Sequence, residues 1–174
     1  MTDKSDTILE AIESNPGIHF RGIMRKTGLM NGVLSYHLAK LERNNLIIAR
    51  RRPRTARFYS VRIPESDHAV IRALRRPTPR ALLIALLHED PENENGLSFV
   101  ELVKRAERSP STVSLYLSQL VRESLVDMRP ANFKKHYQLR DRERIDRLLE
   151  DHDPSLVGRY ASNFEDMINP LGSS

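Results

Sequence analysis

Five arginines lie within eight positions of this chain, in the segment RRRPRTAR at residues 50–57. Guanidinium groups this close repel one another unless an anion lies among them. A solvated charged turn is one explanation, but a predicted helix with a polar outer face lies directly before the segment. We therefore expect the arginines to contact the phosphates or the minor groove of a nucleic acid. They are Arg50, Arg51, Arg52, Arg54 and Arg57.

The helix before this segment is predicted over about residues 31–43. At 100° per residue its leucines share one side, whereas the other side carries small residues, a hydroxyl, a phenol and two cations. Such a face suits a helix in the major groove of DNA, with hydrogen bonds to base edges and ion pairs with phosphates. We interpret His37, at the border of the leucine side, as a structural, hydrogen-bonded histidine. The predicted contacts are Asn31 (also the predicted N-cap), Gly32, Ser35, Tyr36, Lys40 and Arg43.

The elements that position these residues occur twice. LSYHLAKLERNNLI at 34–47 and VSLYLSQLVRESLV at 113–126 share one pattern of apolar residues, displaced by 79 residues. Each copy continues into a short apolar strand, a basic turn and a strand that ends in an aromatic residue. Helix, helix, turn, helix and two-stranded wing form the pattern of a winged helix-turn-helix. We therefore predict a mainly α fold with small β wings (α+β), with two tandem winged helix-turn-helix modules and C-terminal helices.

The predicted organisation has four parts. The chain divides into an N-terminal winged helix-turn-helix at 1–62, a helical, proline-rich linker at 63–79, a second winged helix-turn-helix at 80–140 and amphipathic C-terminal helices at 141–174.

The net charge of +5 is distributed unevenly along the chain. Residues 1–60 hold 11 Lys+Arg against 5 Asp+Glu, residues 79–139 hold 8 of each, and residues 140–174 hold 5 against 8. A polyanion is therefore expected to bind the first module.

The second module carries fewer cations on the corresponding surface. Leu115 and Gln119 stand where the first module has Tyr36 and Lys40, and Phe133 lies near the tip of the second wing. Two interpretations remain open, namely direct contact with DNA and a packing or partner role. Secondary DNA contacts would be Ser111, Thr112, Ser114, Gln119, Lys134 and Lys135.

An apolar stripe at helical spacing near the end of the sequence must be covered by another surface. It could pack on the modules of its own chain, or it could join two copies of the chain, which would then bind a two-fold symmetric site. The stripe consists of Leu156, Val157, Tyr160, Phe164, Met167 and Ile168.

Composition excludes several classes of protein. The chain has no cysteine, and its six histidines include no pair at ligand spacing on a helix, so we expect no disulfide and no metal site. No glycine-rich phosphate loop, nucleophile elbow or buried carboxylate pair is predicted, so we expect neither an enzyme nor a cofactor. The longest apolar run, residues 81–87, is too short to span a bilayer. We expect a cytoplasmic protein without a signal peptide or contact with a membrane.

The segments NPGIHFRGIMRKTGLMNGVLSYHLAKLERNNLI at 15–47 and FYS at 58–60 resemble archaeal winged-helix transcriptional regulators related to the ArsR and MarR types. The likeness is strongest over about residues 7–61 and weaker over 79–139. It implies promoter binding and a homodimer. Many ArsR-type relatives sense metals through cysteines that this chain lacks, and Gly32 stands where relatives often have Ser or Thr. By position, the resemblance assigns helix contacts to Ser35, Tyr36 and Lys40, and wing contacts to Arg51, Arg52, Arg54 and Arg57.

Together these observations predict a sequence-specific transcriptional regulator that binds double-stranded DNA. Regulators of this class usually repress, which favours a repressor that acts by steric occlusion over an activator. The alternatives are an adaptor of the basal transcription machinery, which would bind basal transcription factors, and a non-specific architectural DNA-binding protein.

Overall fold

One order of secondary-structure elements occurs twice in the computed structural model, which describes residues 3–90, 92–93, 95–131 and 133–152. The chain separates into two units, Met1–Arg72 and Ala73–Ser174. The elements of the first unit are α1 (Lys4–Glu13), β1 (Ile18–His19), α2 (Phe20–Thr27), α3 (Asn31–Arg43), β2 (Ile47–Arg52) and β3 (Thr55–Ser60). A 3-10 turn (Glu65–Asp67) and α4 (His68–Leu74) follow.

The second unit repeats this order and adds a helix. Its elements are α5 (Pro77–Leu87), β4 (Leu97–Ser98), α6 (Phe99–Ala106), α7 (Pro110–Arg122), β5 (Val126–Ala131), β6 (Lys134–Leu139) and α8 (Arg142–His152). In each unit the third strand in sequence lies between the other two, in the orders β1-β3-β2 and β4-β6-β5. The predicted fold class, mainly α with small β wings (α+β), is confirmed. The second predicted C-terminal helix lies outside the described residues.

The backbones of the two units match in detail. Elements β4 to β6 begin and end 79 residues after β1 to β3. Residues with a positive φ fall at the same displacement, so left-handed backbone occurs at corresponding turns of both units. The four pairs are Gly17 and Gly96, Gly28 and Glu107, Asn45 and Ser124, and Arg54 and Phe133.

Each unit has its own apolar core. In the first unit, α1, α2 and α3 enclose a cluster against the inner face of the sheet, where Ala49 lies opposite Phe58. The three leucines of α3, Leu34, Leu38 and Leu41, are buried as the helical spacing predicts. In the second unit α5 packs against α6, α7 and α8, and six of its eleven residues are buried, in agreement with its predicted burial. None of the helices in the described ranges is both long and apolar enough to cross a membrane.

Three local predictions were wrong. The apolar stripe at residues 8–12 predicts a first helix that starts near residues 6–7, but α1 begins at Lys4, where the amides of Asp6 and Thr7 donate to the Asp3 carbonyl. Met30, not Asn31, occupies the N-cap position of α3. The apolar residues of the wing predict strands at 46–48 and 56–59, but β2 and β3 extend further, since the ladder continues through the arginines to the pair Arg52 and Thr55.

Tyr59, the aromatic residue near the end of the first wing, is buried beneath His68. The two rings stack with centroids 3.8 Å apart and 10° between their planes, and the Tyr59 hydroxyl donates to the His68 carbonyl at 3.3 Å. Only 4% of His68 is exposed. Burial is the main cause that lowers the pKa of the His68 imidazole below its ordinary value of 6.5.

The lowered pKa makes stability depend on pH. Because unfolded His68 binds a proton more readily than the folded residue, the free energy of unfolding should fall as the pH drops through 6.5 toward the lowered pKa. His68→Phe keeps an aromatic ring against Tyr59 but removes the titrating group, so its stability should decline less between about pH 7 and pH 5. Urea unfolding across this range measures the difference. The exposed His88→Gln variant is the control, and equal slopes for His68→Phe and the unsubstituted chain would contradict the prediction.

Candidate nucleic-acid interface

The outer face of α3 is open to solvent at every position that the sequence predicts to contact DNA. The Tyr36 side chain is 67% exposed, and a Cβ added to Gly32 would have no heavy atom within 4 Å. The Ser35 hydroxyl donates to Asn31 Oδ1 at 3.3 Å, which holds two polar side chains on one turn near the start of the helix. The exposed predicted residues are Asn31, Gly32, Ser35, Tyr36, Lys40 and Arg43.

Behind this face, His37 connects α3 to α1. Ser5 Oγ and His37 Nδ1 are 2.9 Å apart and hydrogen-bonded, in agreement with the structural role predicted for the histidine. Its ring meets the ring of Tyr36 edge to face, with centroids 5.3 Å apart. The half-buried imidazole therefore supports the base of an otherwise exposed phenol.

The first wing turns through two residues, Pro53 and Arg54. Pro53 supplies the negative φ at the first central position of the turn. Arg54, at the second central position, has a φ of 66°, and a type II turn requires a positive φ there. The tip therefore presents the Arg54 side chain to solvent. Arg52 ends the adjacent strand and is also exposed.

Arg50, Arg51 and Arg57 bind groups within the first unit. Arg51 donates to both carboxylate oxygens of Glu42 on α3, at 2.8 and 2.6 Å, and Arg50 forms an ion pair with Glu65. Arg57 lies directly opposite Arg50 in the ladder and donates to the Gly17 carbonyl at 2.7 Å. These contacts connect the wing to α3, to the 3-10 turn and to the turn before β1, and they give the two cross-strand cations Arg50 and Arg57 different partners.

The Arg51–Glu42 pair is bidentate and connects the end of α3 to the wing. The hydrogen bond from Arg51, aided by its positive charge, holds the pKa of the Glu42 carboxyl below its ordinary value. Both side chains are partly exposed, so the pair fixes geometry more than it adds stability. Sequence reasoning missed Glu42 and Glu65 because each partner is determined by the fold of the hairpin.

A further exposed residue precedes the helix. The side chain of Met30 at the N-cap of α3 is 78% exposed. Its position directly before the polar helix and outside the leucine stripe was the feature of the sequence that could have indicated its exposure.

The corresponding surface of the second unit differs in character. Ser111, Ser114 and Leu115 are exposed on α7, but the Gln119 amide is engaged by Arg76, which donates to Gln119 Oε1 at 3.3 Å and lies over the ring of Tyr116. Thr112 is half-buried, and Lys134 and Lys135 are exposed at the start of β6. Phe133, at the wing tip, is fully exposed.

Two other predictions have different outcomes. The apolar stripe at residues 156–168 lies outside the described residues. Within the part of the chain that the structure describes, no three histidine or carboxylate side chains are grouped as metal ligands.

The three helices and the three-stranded sheet with its wing define the first unit as a winged helix-turn-helix. A family model, HTH_HVO_0163_N, described as an N-terminal HTH domain, matches residues 2–71. The first unit is therefore a helix-turn-helix domain. No curated protein matches the chain.

Two solved structures are distantly similar. One is the homodimeric winged helix-turn-helix DNA-binding domain of a possible ArsR-family regulator from Mycobacterium bovis, with 14% identity, a TM-score of 0.41, and coverage of 63% of this chain and 88% of that one. The other is a conserved hypothetical protein from Chlorobium tepidum, with 14% identity, a TM-score of 0.26, and coverage of 86% and 98%. Overlays this loose establish neither function nor assembly for this chain.

Proposed function

We propose that the chain is a sequence-specific DNA-binding transcriptional regulator and that its first module binds duplex DNA. The observation that carries the proposal is the exposed polar face of α3 beside the arginine wing of a helix-turn-helix domain. A helix of this width fits the major groove. Gly32 near its start allows the backbone to approach the bases closely.

In this mechanism the residues of the interface have two tasks. Ser35 and Tyr36 hydrogen-bond to base edges, which sets sequence preference. Phosphates bind exposed cations, which position the module without reading sequence. Those cations are Lys40 and Arg43 on α3 and Arg52 and Arg54 on the wing.

Arg50, Arg51 and Arg57 connect the wing to the rest of the first unit. Arg50 and Arg51 hold the wing through Glu65 and Glu42, and Arg57 binds the Gly17 carbonyl. We therefore assign them the positioning of Arg52 and Arg54 rather than the principal phosphate contacts.

Three finer parts of the proposal are supported by the sequence resemblance, namely an archaeal origin, a homodimer and repression by steric occlusion. A cytoplasmic location is proposed from the composition, and a two-fold symmetric site would follow from dimerisation. The proposal is of a binding protein, not an enzyme.

Tyr36→Ala should relax sequence preference at one base-pair position by about 1–3 kcal/mol, because the phenol contacts a base edge. Selection from a random duplex library at about 0.15 M salt, followed by sequencing, would measure this. The matched control is Tyr116→Phe, which removes a hydroxyl from the half-buried tyrosine of α7. An unchanged preference in Tyr36→Ala would show that α3 does not read the bases.

The same selection tests the wider proposal. An enriched inverted repeat would support a dimeric regulator, and its half-site spacing would constrain the dimer. Retention of DNA without a consensus would favour the alternative functions, a basal-machinery adaptor or an architectural protein.

A further inference from the structure

The second unit contains a groove of about 700 Å³ between α7, the inner face of its sheet and the first turn of α6. Leu117 and Tyr137, both buried, form its floor. Its walls are apolar but reach the surface, since Val100 is 74% exposed and Met128 46% exposed. The volume and apolar lining are those of small-molecule sites. The apolar wall residues are Phe99, Val100, Val121 and Met128.

The first unit has a salt bridge at the corresponding sequence positions. There Glu42, on the last turn of α3, binds Arg51 on the wing through two hydrogen bonds. At the displacement of 79 residues these positions are Val121 and Pro130, which cannot form an ion pair. The same backbone therefore leaves an apolar opening between helix and wing in the second unit.

The groove has cations among its lining residues. Lys134 and Lys135 both line it at the start of β6, and Lys135 lies on the same face of the strand as Tyr137. No Asp or Glu lines the cavity among the described residues. The hydroxyls of Ser114 and Ser118 lie along α7, where Ser118 already donates to the Ser114 carbonyl at 2.8 Å. An occupant should thus be apolar over most of its length and negative where it approaches the lysines.

We propose that this groove is a binding site for a small amphipathic carboxylate, with its apolar body on Leu117 and Met128 and its carboxylate beside Lys134 and Lys135. The charge of the two lysines and the absence of lining carboxylates favour an anion over a neutral or cationic ligand. The site includes none of the first-unit residues that are proposed to contact DNA. Ligand and DNA would compete for the surface of the second unit, where the same lysines are predicted secondary DNA contacts.

The test uses the full chain, without DNA, titrated calorimetrically with decanoate and with decanol. We expect saturable 1:1 binding of decanoate, about tenfold tighter than that of decanol. Lys134→Ala/Lys135→Ala should abolish this preference and leave decanol binding unchanged. Lys104→Ala, on the exposed end of α6, is the control for removal of a cation elsewhere in the unit.

A second variant tests the groove itself. Val121→Glu/Pro130→Arg transplants the salt bridge of the first unit and should weaken decanoate and decanol at least tenfold. Circular dichroism verifies that the variant is folded. If it is not, the comparison between the unsubstituted chain and the double lysine variant tests the proposal. Absence of saturable binding, or equal binding of decanoate by the unsubstituted chain and the double lysine variant, would overturn the proposal. Because DNA is absent, neither outcome depends on the proposed regulator function.

Discussion

Replacing Arg52 and Arg54 with alanine should weaken binding to every duplex by about 30-fold at about 0.15 M salt while base preference is retained. The proposed interface uses four cations as phosphate contacts, and each contact contributes about 0.9 to the slope of log affinity against log salt. The unsubstituted chain should therefore show a slope of about −3.6, and the double variant a slope of about −1.8. Fluorescence anisotropy at several salt concentrations measures both quantities.

The control removes the same charge from a different place. Arg144→Ala/Arg147→Ala changes two cations on α8, in the other unit, and should leave the slope unchanged. If instead the two double variants lose affinity equally, net charge rather than the wing accounts for DNA binding. If Arg52→Ala/Arg54→Ala alters base preference, the wing reads sequence in addition to anchoring the module.

Gly96→Ala should destabilise the second unit by about 3–5 kcal/mol. Gly96 has a φ of 72°, where a Cβ costs energy even in open space, and the added Cβ would lie 2.3 Å from the Tyr137 carbonyl oxygen. That oxygen belongs to the backbone of β6 beside the β4 pairing, so relief requires the sheet to shift. Hydrogen exchange in urea, followed by mass spectrometry, should show lost protection in the segment 97–139.

Gly32→Ala is the matched control because that glycine is helical and nothing lies within 4 Å of an added Cβ. It should be neutral or stabilise the first unit by less than about 1 kcal/mol. Comparable destabilisation by the two substitutions would contradict the geometric reason given for Gly96. Undiminished protection in Gly96→Ala would show that the strand pairing adapts.

The helical spacing of apolar residues, and the repetition of that pattern after 79 residues, predicted most of the fold. Leu34, Leu38 and Leu41 recur at helical spacing, which places them on one face of α3, and that face is buried. The N-cap of α3 was harder to predict. Asn31 has a capping side chain, but the Leu34 amide donates to the Met30 carbonyl, so the helix begins one residue earlier than the side-chain preference indicates.

The contacts that the wing arginines form within the protein could not be predicted from residues 50–57 alone. Arg51 and its partner Glu42 are nine residues apart in sequence, and Arg57 is forty residues from the Gly17 carbonyl that it binds. Both contacts require the register of the hairpin and the packing of the sheet on α1 and α3. The count of cations therefore predicted a polyanion-binding surface, but it could not show which contacts the arginines form within the module.

The paired left-handed turns show how two surfaces diverge on a shared backbone. At Gly17 and Gly96 an added Cβ would meet Tyr59 or the Tyr137 carbonyl, and both copies retain glycine. At Gly28 such a Cβ would meet nothing, and the second copy carries Glu107 at the same left-handed turn. The two units therefore share left-handed backbone at all four turns, and they share glycine where an added Cβ would clash. On this common backbone the first unit carries a salt bridge between helix and wing, whereas the second carries an apolar groove.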